Sequence, residues 1–309
     1  MMINFFIFVA ALWMVIRGSI MATRHSERLA KNFHLSKYIV GFIIIAIISI
    51  LPETFISIDA AIKNIPSFGL GLLFGSNIAD LTLIFAIIIW SAKRKIKVET
   101  KILNNQNIYP FLLLLPLILG LDGYFSRIEG LTLVVVGAIF YFLAIKGSPK
   151  EYVEKIERTN KIKSILLLVL SMAILLVGAH FTVYSASSIA HGLGVSPILI
   201  GMLVVSLGTT IPELFFSINS IKKENDSLAI GDILGTVLAD ATIVVGMITL
   251  IHPFSFPIKT VYVSGIFMVI GSFILFKFMR SGKSLSRKEA WGLFVFWLLF
   301  VLTEFMVNS

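Results

Sequence analysis

The sequence predicts an all-α integral membrane protein of ten transmembrane helices, built as two inverted five-helix repeats. The first observation behind this is composition, since 57% of the residues are hydrophobic and only 14% are charged. Soluble domains average about 25% charged residues. The second observation is a series of apolar runs of about 20 residues, the length that crosses a bilayer. The third is an internal repeat. Together they exclude a soluble fold, and the absence of cysteine excludes a thiolate metal site.

The internal repeat relates residues 41–83, the first copy, to residues 201–243, the second copy. Every matched position lies 160 residues further along the chain, with no gap. A repeat at a fixed offset is a direct clue to architecture, and this one carries acidic residues inside apolar sequence. The matched motifs are Ser-Ile-Leu-Pro-Glu at 49–53 with Thr-Thr-Ile-Pro-Glu at 209–213, and Gly-Ser-Asn-Ile-Ala-Asp at 75–80 with Gly-Thr-Val-Leu-Ala-Asp at 235–240.

The apolar runs define the expected spans and their orientation. Lysine and arginine concentrate in alternate loops, so the positive-inside rule predicts that both termini lie outside a plasma membrane. The expected spans are 3–23, 36–62, 67–90, 107–121, 126–146, 163–190, 196–221, 227–251, 257–278 and 289–307.

These spans predict two domains, residues 1–146 and residues 163–309, joined by a cytoplasmic linker at 147–162. Because each half has an odd number of spans, the second half enters the membrane from the opposite side to the first. Inverted repeats of this kind are typical of secondary transporters, whose substrate site lies near the membrane midplane between the repeats.

The two proline residues of the repeat predict broken helices with exposed carbonyl groups. Proline cannot donate a backbone hydrogen bond inside a helix. Pro52 and Pro212 are therefore expected to free the carbonyls of Ile48 and Gly208. The loosened turns are expected to expose further carbonyls, among them those of Ala46 and Ser206. Each copy has two acids, one beside the proline and one in the following helix. Each acid comes four residues after a hydroxyl residue, a spacing that places both on one helix face. The pairs are Ser49 with Glu53, Thr209 with Glu213, Ser76 with Asp80, and Thr236 with Asp240.

Carboxylate, hydroxyl and carbonyl oxygens are hard donors that suit Ca²⁺ and Na⁺ but not zinc or copper. The alternative is that the prolines are ordinary kinks and the acids lie at helix interfaces. Duplication of four intramembrane acids favours a functional site, because such groups are costly in a bilayer. The glycine pairs of each copy indicate close helix packing. Asp59 and Asp232 are expected in a vestibule or an interface and not in the core of the site.

These motifs resemble those of the cation/calcium exchanger superfamily, whose repeats carry Gly-Thr-Ser-Leu-Pro-Glu-type and Gly-Ser-Asn-type motifs. The sequences Ser-Glu-Arg-Leu-Ala at 26–30 and Leu-Asp-Gly-Tyr at 121–124 resemble archaeal sodium/calcium exchangers. The resemblance implies a ten-helix inverted-repeat antiporter that exchanges Ca²⁺ for Na⁺ or H⁺. It also implies that Glu53 and Glu213 bind Ca²⁺, with Asp80 and Asp240 in the remaining central positions. The hydroxyl ligands that it implies are Ser49, Thr209, Thr210, Ser76 and Thr236.

The chain departs from the family pattern at two places. Ile48 and Ile50 replace the usual glycine and serine, and Ile50 supplies no oxygen, so one flanking Na⁺ position should be weakened. Asp80 and Asp240 are both acidic, where relatives often have asparagine. Four clustered carboxylates repel each other, so one or more should be protonated when no cation is bound. The proton-coupled branch of the superfamily typically has Gly-Asn three or four residues before its glutamate, where this chain has Ser49-Ile50 and Thr209-Thr210. The resemblance therefore favours Na⁺ as the counter-ion, with H⁺/Ca²⁺ exchange through Asp80 or Asp240 as the alternative.

The expected activity is therefore transport and not enzymatic catalysis. The partners are Ca²⁺, Na⁺ and the lipid bilayer, with no nucleic acid and no cofactor beyond the transported ions, and the chain is expected to be a monomer. An intramembrane aspartyl protease using Asp80 and Asp240 would leave the duplicated Pro-Glu unexplained. A passive cation channel is the remaining alternative. From the resemblance, the first and sixth helices are expected to slide over the other eight.

Overall fold

The computed structural model describes residues 2–30, 42, 45–99, 108–146 and 161–308. These residues are mostly helical, and the first half begins with α1 (Met2–Ala30). The other elements of the first half are α2 (Ala46–Ser49), α3 (Leu51–Ile62), α4 (Pro66–Ala79), a π-helical segment (Asp80–Ile84), α5 (Phe85–Ala92), β1 (Ile96–Lys97), α6 (Tyr109–Leu119), β2 (Tyr124–Phe125) and α7 (Arg127–Lys146).

The second half begins with α8 (Lys161–Leu193), two residues before the expected domain boundary. Its other elements are α9 (Pro197–Ile200), a π-helical segment (Gly201–Val205), α10 (Ser206–Thr209), α11 (Ile211–Lys222), α12 (Asp226–Ala239), a π-helical segment (Asp240–Val244), α13 (Val245–Ile251), β3 (Phe254–Ser255), α14 (Ile258–Arg280), a 3₁₀ turn (Ser281–Lys283), β4 (Ser284–Leu285) and α15 (Arg287–Asn308).

Seven helical stretches of the described residues are long and apolar enough to cross a membrane. Two shorter apolar helices, Met2–Gly18 and Tyr109–Leu119, lie at the first and fourth expected spans. The second expected span, 36–62, is described only in part, and linker residues 147–160 lie outside the described residues. The chain is therefore a multi-pass membrane protein.

The proline of each copy interrupts its helix at the expected place. A turn at Ile50 separates α2 from α3, and a turn at Thr210 separates α10 from α11. In both copies proline is the second residue of the new helix, where its missing N–H costs nothing. The short helix before each break ends in a hydroxyl residue, Ser49 or Thr209, and the acid follows three residues after the turn.

The second acid of each copy begins a π-helical segment. Asp80 opens the segment that ends at Ile84, and Asp240 opens the segment that ends at Val244. Widened turns of this kind often mark functional positions in helices. In these segments the hydroxyls of Thr82 and Thr242 donate to carbonyls four residues earlier, which partly satisfies the disturbed ladder.

The glycines of the repeat allow the two copies to cross at backbone contact. A Cβ added at Gly75 would lie 2.1 Å from the carbonyl oxygen of Met202 in the second copy. A Cβ at Gly235 would lie 2.2 Å from the carbonyl oxygen of Phe42 in the first copy. The expected close packing at these glycines is confirmed. The helix that carries Gly75 in the first copy, and the one that carries Gly235 in the second, therefore each contact the opening segment of the other copy.

The rest of the fold surrounds this crossing. One large apolar cluster joins α4, α5, α12 and α13 to α14 and α15. A second apolar cluster joins α1 and α8 to α3 and α4. Two short antiparallel pairs, β1 with β4 and β2 with β3, connect loops of the first half to loops of the second half.

Candidate ion-binding site

The four acids of the repeat are all fully buried where the two copies cross. Glu53, Asp80, Glu213 and Asp240 each have 0% of their surface exposed. The predicted hydroxyl ligands are buried with them, at 1% exposure or less: Ser49, Ser76, Thr209, Thr210 and Thr236. The helix breaks place the two glutamates, and the starts of the π-helical segments place the two aspartates.

Contacts between copies join these side chains into one cluster. Ser76 of the first copy lies 3.4 Å from a carboxylate oxygen of Asp240 in the second, and its hydroxyl also lies 3.1 Å from the carbonyl of Leu73. Asp80 interacts electrostatically with Glu53 and approaches the side chain of Glu213. None of the four hydroxyl–acid pairs predicted within a copy forms a hydrogen bond in the described residues. Ser76 instead donates to the acid of the other copy.

The carboxylate oxygens of this cluster have few protein partners. Among the described residues, neither oxygen of Glu53, Glu213 or Asp80 has a hydrogen-bond donor. One oxygen of Asp240 and the hydroxyl of Thr236 are likewise without a partner there. Burying carboxylates without compensation is costly. An oxygen set that the protein itself leaves unsatisfied fits a bound cation.

The arrangement does not provide a site of three carboxylates. Within the described residues, no group of three or more acidic or histidine side chains converges closely enough to hold one metal ion. A cation between the copies would therefore take hydroxyl and carbonyl oxygens in addition to carboxylates, as Ca²⁺ commonly does. Thr209 is placed for this, since it lies beside Glu53 while its hydroxyl donates to the carbonyl of Ser206 at 3.0 Å.

The prediction that the loosened turns leave the carbonyls of Ala46 and Ser206 without a backbone donor is wrong. The backbone N–H of Ile50 donates to Ala46 at 2.9 Å, and that of Thr210 donates to Ser206 at 3.1 Å. The reason is that proline removes only its own N–H, whose acceptor would lie four residues earlier. Ile50 and Thr210 keep theirs. A carbonyl oxygen has two lone pairs, so Ala46 stays a predicted ligand as a shared acceptor. The carbonyl of Ser206 also accepts from the hydroxyl of Thr209, so it stays a predicted ligand only with that hydroxyl rotated away.

Asp232 is the candidate that sequence reasoning placed outside the core of the site. It is fully buried, and Ser49 donates a hydrogen bond of 2.9 Å to its carboxylate across 183 positions of sequence. Asp59, the other acid expected at the edge, does lie there, in a partly exposed ion pair of 2.6 Å with Lys63. The missed signal is helical spacing, since residues 232, 236 and 240 recur at four-residue intervals along one helix face.

Ile50 leaves one part of the site apolar. The side chain is buried, with 7% of its surface exposed, and it brings no oxygen to the turn that follows Ser49. Its counterpart in the second copy is Thr210, whose hydroxyl lies 3.2 Å from the carbonyl of Leu207. The two copies are therefore chemically unequal at the position where their helices break.

Buried acids at the crossing of two repeated units define the class of protein. Ionisable groups inside a membrane are costly and mark ion or substrate pathways. Hard oxygen donors select cations such as Na⁺ and Ca²⁺. The fold and the site together define an ion-transporting membrane protein.

Comparison with known proteins gives the family. The family described as sodium/calcium exchanger protein matches residues 3–146 and 163–306. The chain belongs to this family, whose members are membrane transporters and not enzymes, with ions as substrates in place of cofactors. The expected membership of the cation/calcium exchanger superfamily is confirmed.

Three relatives illustrate the range of the likeness. The sodium/calcium exchanger MaX1 of Methanosarcina acetivorans is 24% identical to the chain and aligns over 99% of both proteins. A solved structure of the sodium-calcium exchanger NCX_Mj is 25% identical, with a TM-score of 0.73 over 98% of this chain and 99% of that one. A crystal structure of the H⁺/Ca²⁺ exchanger CAX has a TM-score of 0.83 over 99% of this chain and 84% of the other, at 15% identity. The last likeness is one of fold alone.

Proposed function

We propose that the protein is a secondary antiporter that exchanges Ca²⁺ for Na⁺ by alternating access, with both ions drawing on one set of oxygens. The observation that carries this proposal is the group of four fully buried repeat carboxylates, seven of whose eight oxygens have no hydrogen-bond donor among the described residues. Two relatives, MaX1 and NCX_Mj, are named as sodium/calcium exchangers, which supports the choice of ions.

The proposed architecture is ten helices in two inverted repeats, residues 1–146 and 163–309, around a site near the membrane midplane. The linker at 147–162 is cytoplasmic and both termini are outside, as the distribution of lysine and arginine indicates. We expect a monomer. The reciprocal crossing at Gly75 and Gly235 supports two related units that face each other.

The proposed Ca²⁺ ligands are Glu53 and Glu213, completed by oxygens of the helix-break turns. The proposed hydroxyl ligands of Ca²⁺ or Na⁺ are Ser49, Ser76, Thr209, Thr210 and Thr236, and the proposed carbonyl ligands are Ala46 and Ser206. Asp80 and Asp240 supply the remaining charge in the centre. Charge is the reason for competition, because two Na⁺ or one Ca²⁺ can neutralise the same pair of carboxylates.

Neutralisation also provides the coupling between binding and movement. A ligand shifts a conformational equilibrium only when it binds the two states with different affinity. A charged cluster resists passage through an occluded, water-free state, whereas a cluster neutralised by Ca²⁺ or by Na⁺ does not. The empty site would therefore not switch, and only loaded forms would exchange sides.

The moving part of this proposal is the pair formed by α1 and α8. The two helices cross closely, since a Cβ at Gly178 would lie 2.9 Å from the side chain of Val15. They share their apolar cluster with α3 and α4, apart from the large cluster around the site. Among the described residues, Lys63 of the first copy donates a 3.0 Å hydrogen bond to the carbonyl of His180 in α8. Because α1 and α8 pack closely on each other and outside the large cluster, we expect them to move together.

Exchange of Ca²⁺ for H⁺ is the second candidate, and Asp80 and Asp240 favour it. Both are acids in the centre of the site, each starts a π-helical segment, and each lies close to a glutamate or a hydroxyl of the other copy. A carboxylate surrounded by other carboxylates can carry a proton in place of a metal ion. Proton exchange would then use the same cluster with a different counter-ion.

Competition for bound Ca²⁺ tests the proposed site. Radioactive Ca²⁺ is bound to the purified protein in detergent at constant pH and displaced by Na⁺, with choline keeping the ionic strength fixed. The proposal predicts displacement by Na⁺ with a steep concentration dependence and no displacement by choline. Loss of Ca²⁺ only on acidification would favour proton exchange. Bound Ca²⁺ that ignores both Na⁺ and pH would contradict both candidates.

A further inference from the structure

Asp232 is buried beside the four repeat acids but belongs to neither motif of the repeat. Its carboxylate is fully buried, and one oxygen accepts the 2.9 Å hydrogen bond from Ser49. The other carboxylate oxygen has no hydrogen-bond donor among the described residues. A buried carboxylate with one free oxygen requires compensation by a cation or a proton.

Asp232 lies close enough to the repeat acids to interact with them electrostatically. Its charge acts on both Asp80 and Glu213, one acid from each copy. Ser49, which donates to it, belongs to the first copy, so the contact bridges the copies at the helix break. Because a serine hydroxyl has one proton and two lone pairs, donation to Asp232 leaves the lone pairs of Ser49 available to a cation.

An acid at the position of Asp232 occurs in only one of the two copies. Its counterpart in the first copy is Leu72, which is buried and apolar. The residue after Ser49 is Ile50, whose counterpart Thr210 carries a hydroxyl. The first copy therefore has no side-chain oxygen at the residue after Ser49, and the second copy supplies a carboxylate in contact with Ser49.

We propose that Asp232 joins Ser49 in binding a monovalent cation of the Na⁺ class, as a ligand that the repeat motifs do not contain. The free oxygen of Asp232 and the lone pairs of Ser49 are its ligands, and the carboxylate replaces the oxygen that Ile50 lacks. The site prefers a monovalent ion because it offers one carboxylate, whereas Ca²⁺ is better neutralised between Glu53 and Glu213. This inference rests on the proposed Na⁺/Ca²⁺ exchange.

The test compares Asp232→Asn with the unaltered protein by direct binding of radioactive Na⁺ in the absence of Ca²⁺. Asparagine has the same shape and its amide oxygen still accepts the hydrogen bond from Ser49, so the variant loses the charge and the second, ligand oxygen, which becomes an amide nitrogen. The control is Glu224→Gln, which removes one negative charge from an exposed loop of the same half. Ca²⁺ affinity is measured separately without Na⁺.

Asp232→Asn is expected to weaken Na⁺ binding by about 10-fold or more, the effect of losing a metal-site partner, and to leave one fewer Na⁺ bound. Ca²⁺ affinity should stay close to that of the control. Equal Na⁺ binding in variant and control would overturn the inference. So would a parallel loss of Ca²⁺ and Na⁺ affinity, since that result would make Asp232 a positioning residue for Ser49.

Two further comparisons keep the test decisive. If Asp232→Asn does not give a monodisperse protein, the pair Asp232→Glu and Asp232→Gln is compared instead. The two side chains have the same size and differ in charge and in one oxygen, and only the glutamate variant should retain Na⁺ binding. Failure of the proposed exchange is distinguishable, because it would appear as Ca²⁺ that Na⁺ cannot displace from the unaltered protein. The Na⁺ binding measurement needs no Ca²⁺ and reports on Asp232 in either case.

Discussion

Substitution of Gly75 by alanine tests the crossing of the two copies on which the site depends. The added Cβ would lie 2.1 Å from the carbonyl oxygen of Met202 and 2.8 Å from its carbonyl carbon and Cα. All three are backbone atoms, so no side chain can rotate away. The same carbonyl accepts the hydroxyl hydrogen bond of Ser206, a proposed ligand residue. The methyl group therefore pushes directly on the wall of the site.

Overpacking of this kind costs about 1–3 kcal/mol, and the upper end applies because backbone has to move. Gly292→Ala is the matched control, since its Cβ would meet only the Phe278 ring at 3.4 Å. Alanine is also favoured over glycine inside a helix by about 0.5–1 kcal/mol. Unfolding is followed by tryptophan fluorescence in mixed micelles, and Ca²⁺ binding is measured on the same samples. Equal stability of Gly75→Ala and the control would refute the close crossing.

Three further predictions concern charge and oxygen supply. Glu53→Gln and Glu213→Gln should each lower Ca²⁺ affinity by about 100-fold or more, because loss of a direct ligand costs at least as much as loss of its supporting partner. Equilibrium Ca²⁺ binding measures this loss of affinity. Ile50→Thr should restore an oxygen and raise Na⁺ affinity several-fold, seen as displacement of Ca²⁺ at lower Na⁺ concentration. Arg94→Lys should destabilise the protein by about 1–2 kcal/mol in denaturant unfolding, because it breaks the two hydrogen bonds of 2.7 and 2.6 Å to Asp226.

Each of these has an outcome that would count against it. Glu224→Gln, in an exposed loop, is the charge control for the glutamate variants, and a similar loss of Ca²⁺ in all three would show a non-specific effect. Unchanged or weaker Na⁺ competition in the Ile50 variant would remove the account of its missing oxygen. For Arg94, hydrogen bonding to Asp226 raises the guanidinium pKa, and its contribution is lost only as pH rises through that high value. The cost of Arg94→Lys should therefore be constant from roughly pH 6 to 9; a cost that vanishes in that range would contradict the ion pair.

The repeat is the part of the fold that sequence predicts well, because it depends on local chemistry. A proline fits at the start of a helix but costs a backbone hydrogen bond inside one, so residue type favours the breaks before Pro52 and Pro212. Buried glycines in a fixed spacing permit backbone contact, and Gly75 and Gly235 make it. The burial of the four repeat acids follows from the same pattern, since each lies within an apolar helix.

The contacts between copies are what sequence could not supply. The partner of Ser49 is Asp232, at a distance in sequence that no helical spacing reaches, and the predicted partner was Glu53. The carbonyls of Ala46 and Ser206 were expected to be free, but the residues that bond to them still carry N–H groups. The π-helical segments at Asp80 and Asp240 have no local sequence signal, because they arise from how one helix fits around its neighbours.

The central claim is that Na⁺ moving in one direction drives Ca²⁺ in the other, and uptake into proteoliposomes measures this directly. Vesicles are loaded with Na⁺ or with choline and diluted into medium containing radioactive Ca²⁺, with no pH difference across the membrane. A third set carries a pH difference and no Na⁺. The account predicts uptake only in the vesicles loaded with Na⁺. Uptake in the third set alone would contradict it and assign the counter-ion role to H⁺, and Ca²⁺ entry into choline vesicles would indicate a passive channel.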